Sequence, residues 1–367
     1  MQSPTIYNSP AEEAFMALVR SGIRNTAPAE SLFESLGADE WEEIYSMARR
    51  QTVCGICYAA FCRLPDRLLP PHMLLTRWVA RVDAIETANR AMAVAASSLI
   101  AVLRRAGLHP VVQKGLSVAR HYPNPELREC GDIDLWLPGR EFDEAITVVS
   151  RSAGLKHNPD GSVSFSYRGF VVELHRRLIN VSSPVVSYNL DSFTRRVCAS
   201  EVSHNDRLPS PPPLFELLLI SIHIMRHAFG TGVGLRQICD YYCAVNALRG
   251  SYDSSQFERA CRITVISKWI EILNGFLVIY LDASAEELPP SGFKGKNSVS
   301  PAALMRIIRE GGNFGLHLHE SGTCDKPRVK GKMHTLAMFF RRSRFATSVA
   351  PAEAFWCFVR LLFGQLR

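Results

Sequence analysis

Between residues 107 and 180 the apolar pattern of this chain changes period, and that change limits the folds open to it. On either side of the segment apolar residues recur at helical spacing. Within it, short runs alternate or stay wholly apolar between glycine and proline stops, which is the mark of strands. "PVVQKG" reads as a short strand ending at a glycine, "LSVARHYP" as a helix and "DIDLWL" as a second strand. "REFDEAITVVSRSAG" is an amphipathic helix with a glycine stop, and "SVSFSY" and "FVVELHRRL" flank the turn "RG" as a hairpin. The expected fold class is therefore α+β, a small mixed-sheet core flanked by N- and C-terminal helical regions.

Residues from about 10 to 106 read as helices throughout. "PAEEAFMALVRSGI" opens with a proline and two acids, a good helix start, and "ADEWEEIYSMARRQTVCGICYAAFCRL" keeps helical spacing until "PDRLLPP" breaks it. A long Ala- and Leu-rich run then ends at Gly107 and Pro110. The Pro-rich "LPSPPP" at 208–213 marks a boundary or a helix start, and helical spacing returns after it. These breaks divide the chain into an N-terminal helical region (1–86), the α/β core (87–205) and a C-terminal helical domain (206–367), with the two helical parts expected as walls of a cleft.

Composition excludes several classes. The chain is 47% hydrophobic and 21% charged, as in soluble globular proteins, and carries a net charge of +7. That charge suits an anionic ligand such as a nucleotide but is too mild and dispersed to argue for nucleic acid. The start "MQSPTIYNSPAEEAF" lacks a basic stretch before an apolar core, so no secretory signal is read there. The most apolar runs, "LFELLLISIHIM" and "WIEILNGFLVIYL", are too short and too polar for a membrane span. Ten scattered cysteines form no secreted-type framework and fit reduced thiols, so the expected location is the cytoplasm.

The chemistry is concentrated in "RECGDIDLWLPG". Strand residues i and i+2 point to one face roughly 6.5 Å apart, so Asp132 and Asp134 project side by side and repel unless a cation sits between them. The bland reading is a solvated strand end beside the turn Pro138-Gly139. Alternation also places Val171, Glu173 and His175 on one face of their strand, with Val172 and Leu174 on the other. Glu173 is thus a third carboxylate in the same unit. Three carboxylates are the parts of a two-metal site, in which Mg²⁺ ions about 3.5–4 Å apart clamp a phosphoryl displacement.

"VVQKGLSVARHYPNPELRECGDIDLWL" with the later "VVELHRRL" resembles the uncharacterised nucleotidyltransferase family of the DNA polymerase β-like superfamily. The shared motifs are Lys114-Gly115, Tyr122-Pro123, Arg128, Gly131-Asp132-Ile133-Asp134 and Glu173-Leu174-His175. "HIMRHAFGTGVGLRQICDYY" and "REGGNFG" look like the helical C-terminal part of that family. The resemblance implies a polymerase β-like core and transfer of a nucleoside monophosphate from an NTP, probed first with ATP, with release of pyrophosphate. It implies Mg²⁺ or Mn²⁺ held by Asp132, Asp134 and Glu173. It also implies nucleotide contacts at Lys114, Gly115, Ser117 and Arg128. The superfamily's Gly-Ser pair is here Gly115-Leu116-Ser117, with a longer interval before Asp132. Members are often encoded near polysaccharide or peptide natural-product biosynthesis, which implies a sugar, small-molecule or peptide acceptor, and toxin-like relatives of the superfamily leave a protein acceptor open.

Blander roles compete at several positions. Lys114 also suits a solvated strand end, and Arg128 also suits a surface pairing with Glu126 or Glu129. His175 fits a hydrogen-bonded structural histidine. His223 and His227 lie one helical turn apart, but Ile224 stands where a zinc-protease glutamate is needed. They are read as structural, in a polar cluster with Arg236 and Asp240 that could also face the cleft. "CGIC" at Cys54–Cys57 lacks a second pair and reads as small residues packing a helix, and the basic, aromatic C-terminal segment as a packed helix. The rival from another class is a non-catalytic nucleotide-binding or scaffold protein of a biosynthetic cluster that keeps the fold.

Overall fold

A computed structural model describes residues 7–151, 153–198, 208–230, 232–295, 299–311 and 340–363. The N-terminal helices are α1 (Pro10–Arg24), α2 (Ala38–Arg50), α3 (Cys54–Phe61) and α4 (His72–Arg105). α1 starts where Ser9 accepts the Glu12 amide, Pro10 presets the first turn, and Glu12 and Glu13 complement the helix dipole. The core follows as β1 (Val111–Gln113), α5 (Gly115–Ala119), β2 (Ile133–Trp136), α6 (Arg140–Ser150), β3 (Lys156–His157), β4 (Val163–Tyr167) and β5 (Phe170–His175). The remaining helices are α7 (Pro184–Cys198), α8 (Pro213–Phe229), α9 (Leu235–Ala247), α10 (Ser254–Ile263), α11 (Ser267–Leu281), α12 (Pro301–Gly311), α13 (340–349) and α14 (Pro351–Phe363).

The five strands form one mixed sheet in the order β1-β2-β5-β4-β3, in which only the β2–β5 pairing is parallel. The β4–β5 hairpin turns at Arg168 and Gly169, both at positive φ. Alternation sorts the two faces. Ile133, Leu135, Val172 and Leu174 bury themselves against the second half of α4 and against Phe142, Ala145 and Val149 of α6. The intervening Asp134, Glu173 and His175 look the other way. Segment 208–212 runs along the outer side of β1, where the Pro209 carbonyl accepts the Val112 amide at 2.7 Å. α8 then starts with Pro213, so the proline run is both a cover for the sheet edge and a helix start.

The two helical regions share one apolar core: Leu18, Trp78, Phe215, Trp269 and Leu304 belong to a single buried cluster. α4 joins that core to the sheet. Leu74, Trp78, Val82 and Ile85 of its first half pack among the helices, and Met92, Ala95, Leu99 and Leu103 of its second half lie under the strands. The division at 86/87 therefore falls inside one continuous helix, and the one at 205/206 lies outside the described residues. So do "REGGNFG" beyond Gly311, Phe339 and the last four residues.

One expected helix is two. The pattern running from 38 to "PDRLLPP" breaks at Thr52, whose φ is +53°. The break serves Gln51, which donates to the Ile308 carbonyl of α12 at 2.9 Å and accepts the Leu235 amide of α9 at 2.8 Å. Two buried backbone groups outweigh helical continuity there. The "CGIC" stretch is packing, as its small residues suggest. A Cβ on Gly55 would lie 2.3 Å from the Leu127 carbonyl oxygen, so only glycine lets α3 approach the loop before β2 so closely. Cys54 and Cys57 are fully buried, and burial pushes the Cys54 thiol up to about 12.

Candidate functional site

The sheet face opposite α4 opens into a cavity of about 1260 Å³. Its walls come from the ends of β1, β2 and β5, the β3–β4 turn at Pro159–Gly161, and helices α8, α9 and α14. The N-terminal helical region contributes only Thr52 among the described residues, so the walls are chiefly C-terminal rather than one from each helical part.

Asp134 sits at the centre. It is buried, and its register partner on the parallel strand is Glu173. Asp134 Oδ1 accepts from Lys114 Nζ at 2.9 Å and from His175 Nε2 at 2.6 Å, and the same His175 nitrogen lies 3.6 Å from Glu173 Oε2. One ligand atom each from Asp134, Glu173 and His175 falls within 4.8 Å of the others, close enough to share a metal ion. Asp132 lines the same cavity from the residue before β2 but is outside that group of three.

The electrostatics follow from this arrangement. Burial pushes the Asp134 carboxyl up, but the Lys114 charge and the His175 hydrogen bond outweigh it and hold the group far below the usual carboxylate range. Asp132 is pushed up to about 6 by burial and by the charge of Asp134, with Lys114 opposing. Burial and Asp134 likewise raise Glu173. Lys114 is depressed by burial and lifted further by Asp134, so its ammonium stays charged. Its backbone has φ +55° and ψ −130°, a conformation natural to glycine that costs a lysine about 1–3 kcal/mol. That turn aims Lys114 at Asp134 while Gly115 opens α5.

Two of the expected nucleotide contacts make internal hydrogen bonds, Ser117 away from the cavity and Arg128 at its wall. Ser117 is buried and its Oγ donates at 2.6 Å to Glu216 of α8, a fully buried carboxylate that also takes Arg120 at 2.5 Å and His121 at 3.2 Å. Ser117 thus fixes α5 against α8 and does not line the cavity. Arg128 pairs with neither the Glu126 nor the Glu129 carboxylate. Its guanidinium forks onto Asp240 of α9, Nε to Oδ1 at 3.0 Å and Nη2 to Oδ2 at 2.6 Å, with Nη1 on the Glu129 carbonyl at 3.2 Å. Tyr122, the motif tyrosine, donates to the same Asp240 at 2.7 Å. A bidentate buried pair uses the donors a phosphate would need.

The histidine cluster does face the site. His223, His227, Arg236 and Asp240 all line the cavity, and the two imidazoles meet edge to face with centroids 4.4 Å apart. Burial and the neighbouring charges of Arg226 and Lys114 hold His227 down near 3, and burial with His227 depresses His223 as well. Both are neutral at pH 7. Arg236 donates to the Glu129 carbonyl at 2.5 Å. Residues not foreseen from the sequence are Asp160 on the turn, Arg226 between the two histidines, and Cys357 and Arg360 on α14. "NPDG" signals a turn and "HIMRH" an ordinary helix face, so neither reveals where it points.

A family model described as an uncharacterised nucleotidyltransferase matches residues 37–270. The chain belongs to that family. No curated protein and no solved structure matches it. The nucleotidyltransferase segment runs from α2 into α11 and contains every cavity-lining residue named above except Cys357 and Arg360. Among the described residues no helix is long and apolar enough to cross a membrane.

Proposed function

We propose that the cavity is the active site of a metal-dependent nucleotidyltransferase with a polymerase β-like core, moving a nucleoside monophosphate from an NTP to an acceptor hydroxyl with release of pyrophosphate. The observation that carries this reading is the register pairing of Asp134 with Glu173 on parallel strands, beside Asp132, in a cavity large enough for two substrates. Small-molecule pockets usually measure about 300–1,000 Å³.

The donor set fits a hard divalent cation. Three carboxylates supply oxygen ligands, and Asp134 Oδ2 is left for the metal once Lys114 and His175 hold Oδ1. Such a cation, Mg²⁺ or Mn²⁺, supplies neutralisation of phosphate charge and a more acidic acceptor hydroxyl. His175 is the orienting partner of Asp134 rather than a first choice of ligand, because Mg²⁺ favours oxygen over imidazole. Lys114 holds positive charge over the reacting phosphate. Gly115 gives the phosphates close access to backbone. A Cβ there would meet only Arg128 Nη1 at 3.4 Å and the Asp132 carbonyl oxygen at 3.6 Å, so packing alone does not demand glycine. Glu173, half-buried and raised by its neighbours, stands on the acceptor side. Catalysis rests on positioning and charge neutralisation.

The test is an incubation of the protein with Mg²⁺ and each of the four NTPs, ATP first, in a cell extract. Pyrophosphate and a nucleotidyl adduct are read by mass spectrometry beside an Asp132→Ala/Asp134→Ala control. Both signals, absent from the control, are expected. Their absence with NTP binding intact would leave the non-catalytic nucleotide-binding reading in place of this one.

A further inference from the structure

The cavity carries further cationic groups besides those of the motif. α8 brings Arg226 into it between His223 and His227, and α14 adds Arg360. Among the described residues neither guanidinium makes an ion pair or a hydrogen bond. The other cavity cations are held: Lys114 by Asp134, Arg128 by Asp240, and Arg236 by the Glu129 carbonyl. Arginines kept at a cavity wall without an internal acceptor leave their fork-like donors available to a ligand.

The placement of Arg360 is built in. Glu353, buried at the start of α14, accepts the amides of Ser182 and Ser183, the latter at 3.0 Å, and so docks the helix beside the strand β5 exit. Cys357 and Arg360 follow at i+4 and i+7 on the same helix face. Cys357 Sγ lies 3.0 Å from Ser182 Oγ, and Cys357 and Arg360 line the same cavity as Arg226. Asp160 and Arg226 also line a smaller neighbouring pocket with Lys114 and His175. Arg226 and Arg360 thus share one cavity with Asp132, Asp134 and Glu173.

We infer that Arg226 and Arg360 form a subsite for an oxyanion group on the acceptor substrate. The acceptor presents its hydroxyl beside Glu173 and its anionic handle, a phosphate or carboxylate, to the two arginines. This inference rests on the nucleotidyl-transfer reading and gives that reading a substrate class: anionic hydroxyl compounds, as opposed to neutral sugars. Arg360 lies outside the family-matched segment, so the second half of the subsite belongs to this chain's own C-terminal helix.

The experiment is a calorimetric titration of inorganic phosphate into protein saturated with Mg²⁺ and a non-hydrolysable ATP analogue, with the analogue's own affinity measured in parallel. Wild type, Arg226→Gln, Arg360→Gln and the charge-keeping Arg226→Lys are compared, after denaturant midpoints have established that each is folded. Phosphate is expected to bind the nucleotide-saturated wild type. Each Gln variant should bind it at least about tenfold more weakly, while nucleotide affinity stays within about twofold. Arg226→Lys should keep part of the phosphate affinity. Displacement of phosphate by the analogue, with both ligands weakened in Arg226→Gln, would assign the arginines to the triphosphate and overturn the inference. Phosphate binding that is absent, or indifferent to both arginines, overturns it too. Failure of the wild type to bind the analogue at all would instead defeat the nucleotidyl-transfer reading, and the parallel titration separates that failure from the others.

Discussion

Replacing Arg128 with Met should cost the protein much of its stability. The guanidinium and the Asp240 carboxylate are only 5% and 7% exposed, and two hydrogen bonds of 3.0 and 2.6 Å join them. Without Arg128, the buried Asp240 carboxyl loses both guanidinium hydrogen bonds and keeps the one from the Tyr122 hydroxyl. Breaking one side of such a pair costs about 3–5 kcal/mol, against a total of about 5–15 kcal/mol for a typical domain. Asp240→Leu should cost a similar amount by stranding the cation. The double variant Arg128→Met/Asp240→Leu leaves no lone charge, and should recover most of the loss instead of summing the two single costs. Urea denaturation at pH 7, ligand-free and with m-values compared, reads all four corners of the cycle. A single-variant loss below about 1 kcal/mol, together with a more than tenfold drop in nucleotide affinity, would refute the reasoning and return Arg128 to the phosphates.

Three further outcomes follow from the same geometry. His223 and His227 have folded-state pKa values depressed from 6.5, to about 3 for His227, so the folded protein binds fewer protons than the unfolded chain. Their contribution is complete above pH 6.5 and is lost as pH falls toward 3; the drop in Tm between pH 7 and pH 5 should shrink in His227→Gln, and an unchanged drop would count against their being buried neutral. Gly55→Ala sets a Cβ 2.3 Å from the Leu127 oxygen and should lower Tm by several degrees, where a generic helical Gly→Ala change would raise it. Ser117→Ala removes a 2.6 Å hydrogen bond to buried Glu216 and should cost about 1–3 kcal/mol in denaturant unfolding while nucleotide affinity stays within about twofold; the reverse pattern would restore Ser117 to the phosphate site.

The parts of this molecule that were legible in the sequence are those set by local period. Alternation in "FVVELH" fixed which side chains face the apolar layer: Val172 and Leu174 are fully buried, and Glu173 and His175 turn to the cavity. The turn "RG" adopts the positive φ values that a tight hairpin needs. What stayed hidden depends on partners far along the chain. Nothing near Arg128 announces Asp240, and nothing near Ser117 announces Glu216, because each pair is separated by about a hundred residues and joined only by packing. The break at Thr52 was invisible for the same reason, since its cause is the pairing of Gln51 with α9 and α12. The sequence around His175 points only to a structural histidine. The strand register that brings it to Asp134, and so into range of a metal, is a property of the sheet and not of its own neighbourhood.

The most direct test of the central claim is a Mn²⁺ titration followed by electron paramagnetic resonance, with and without a non-hydrolysable ATP analogue, on wild type and Asp134→Asn. The account predicts that wild type takes up Mn²⁺, that the analogue tightens the binding, and that Asp134→Asn weakens it by at least about tenfold while its Tm remains measurable and cooperative. Equal Mn²⁺ affinity and stoichiometry in the two proteins, with no response to the nucleotide, would contradict it.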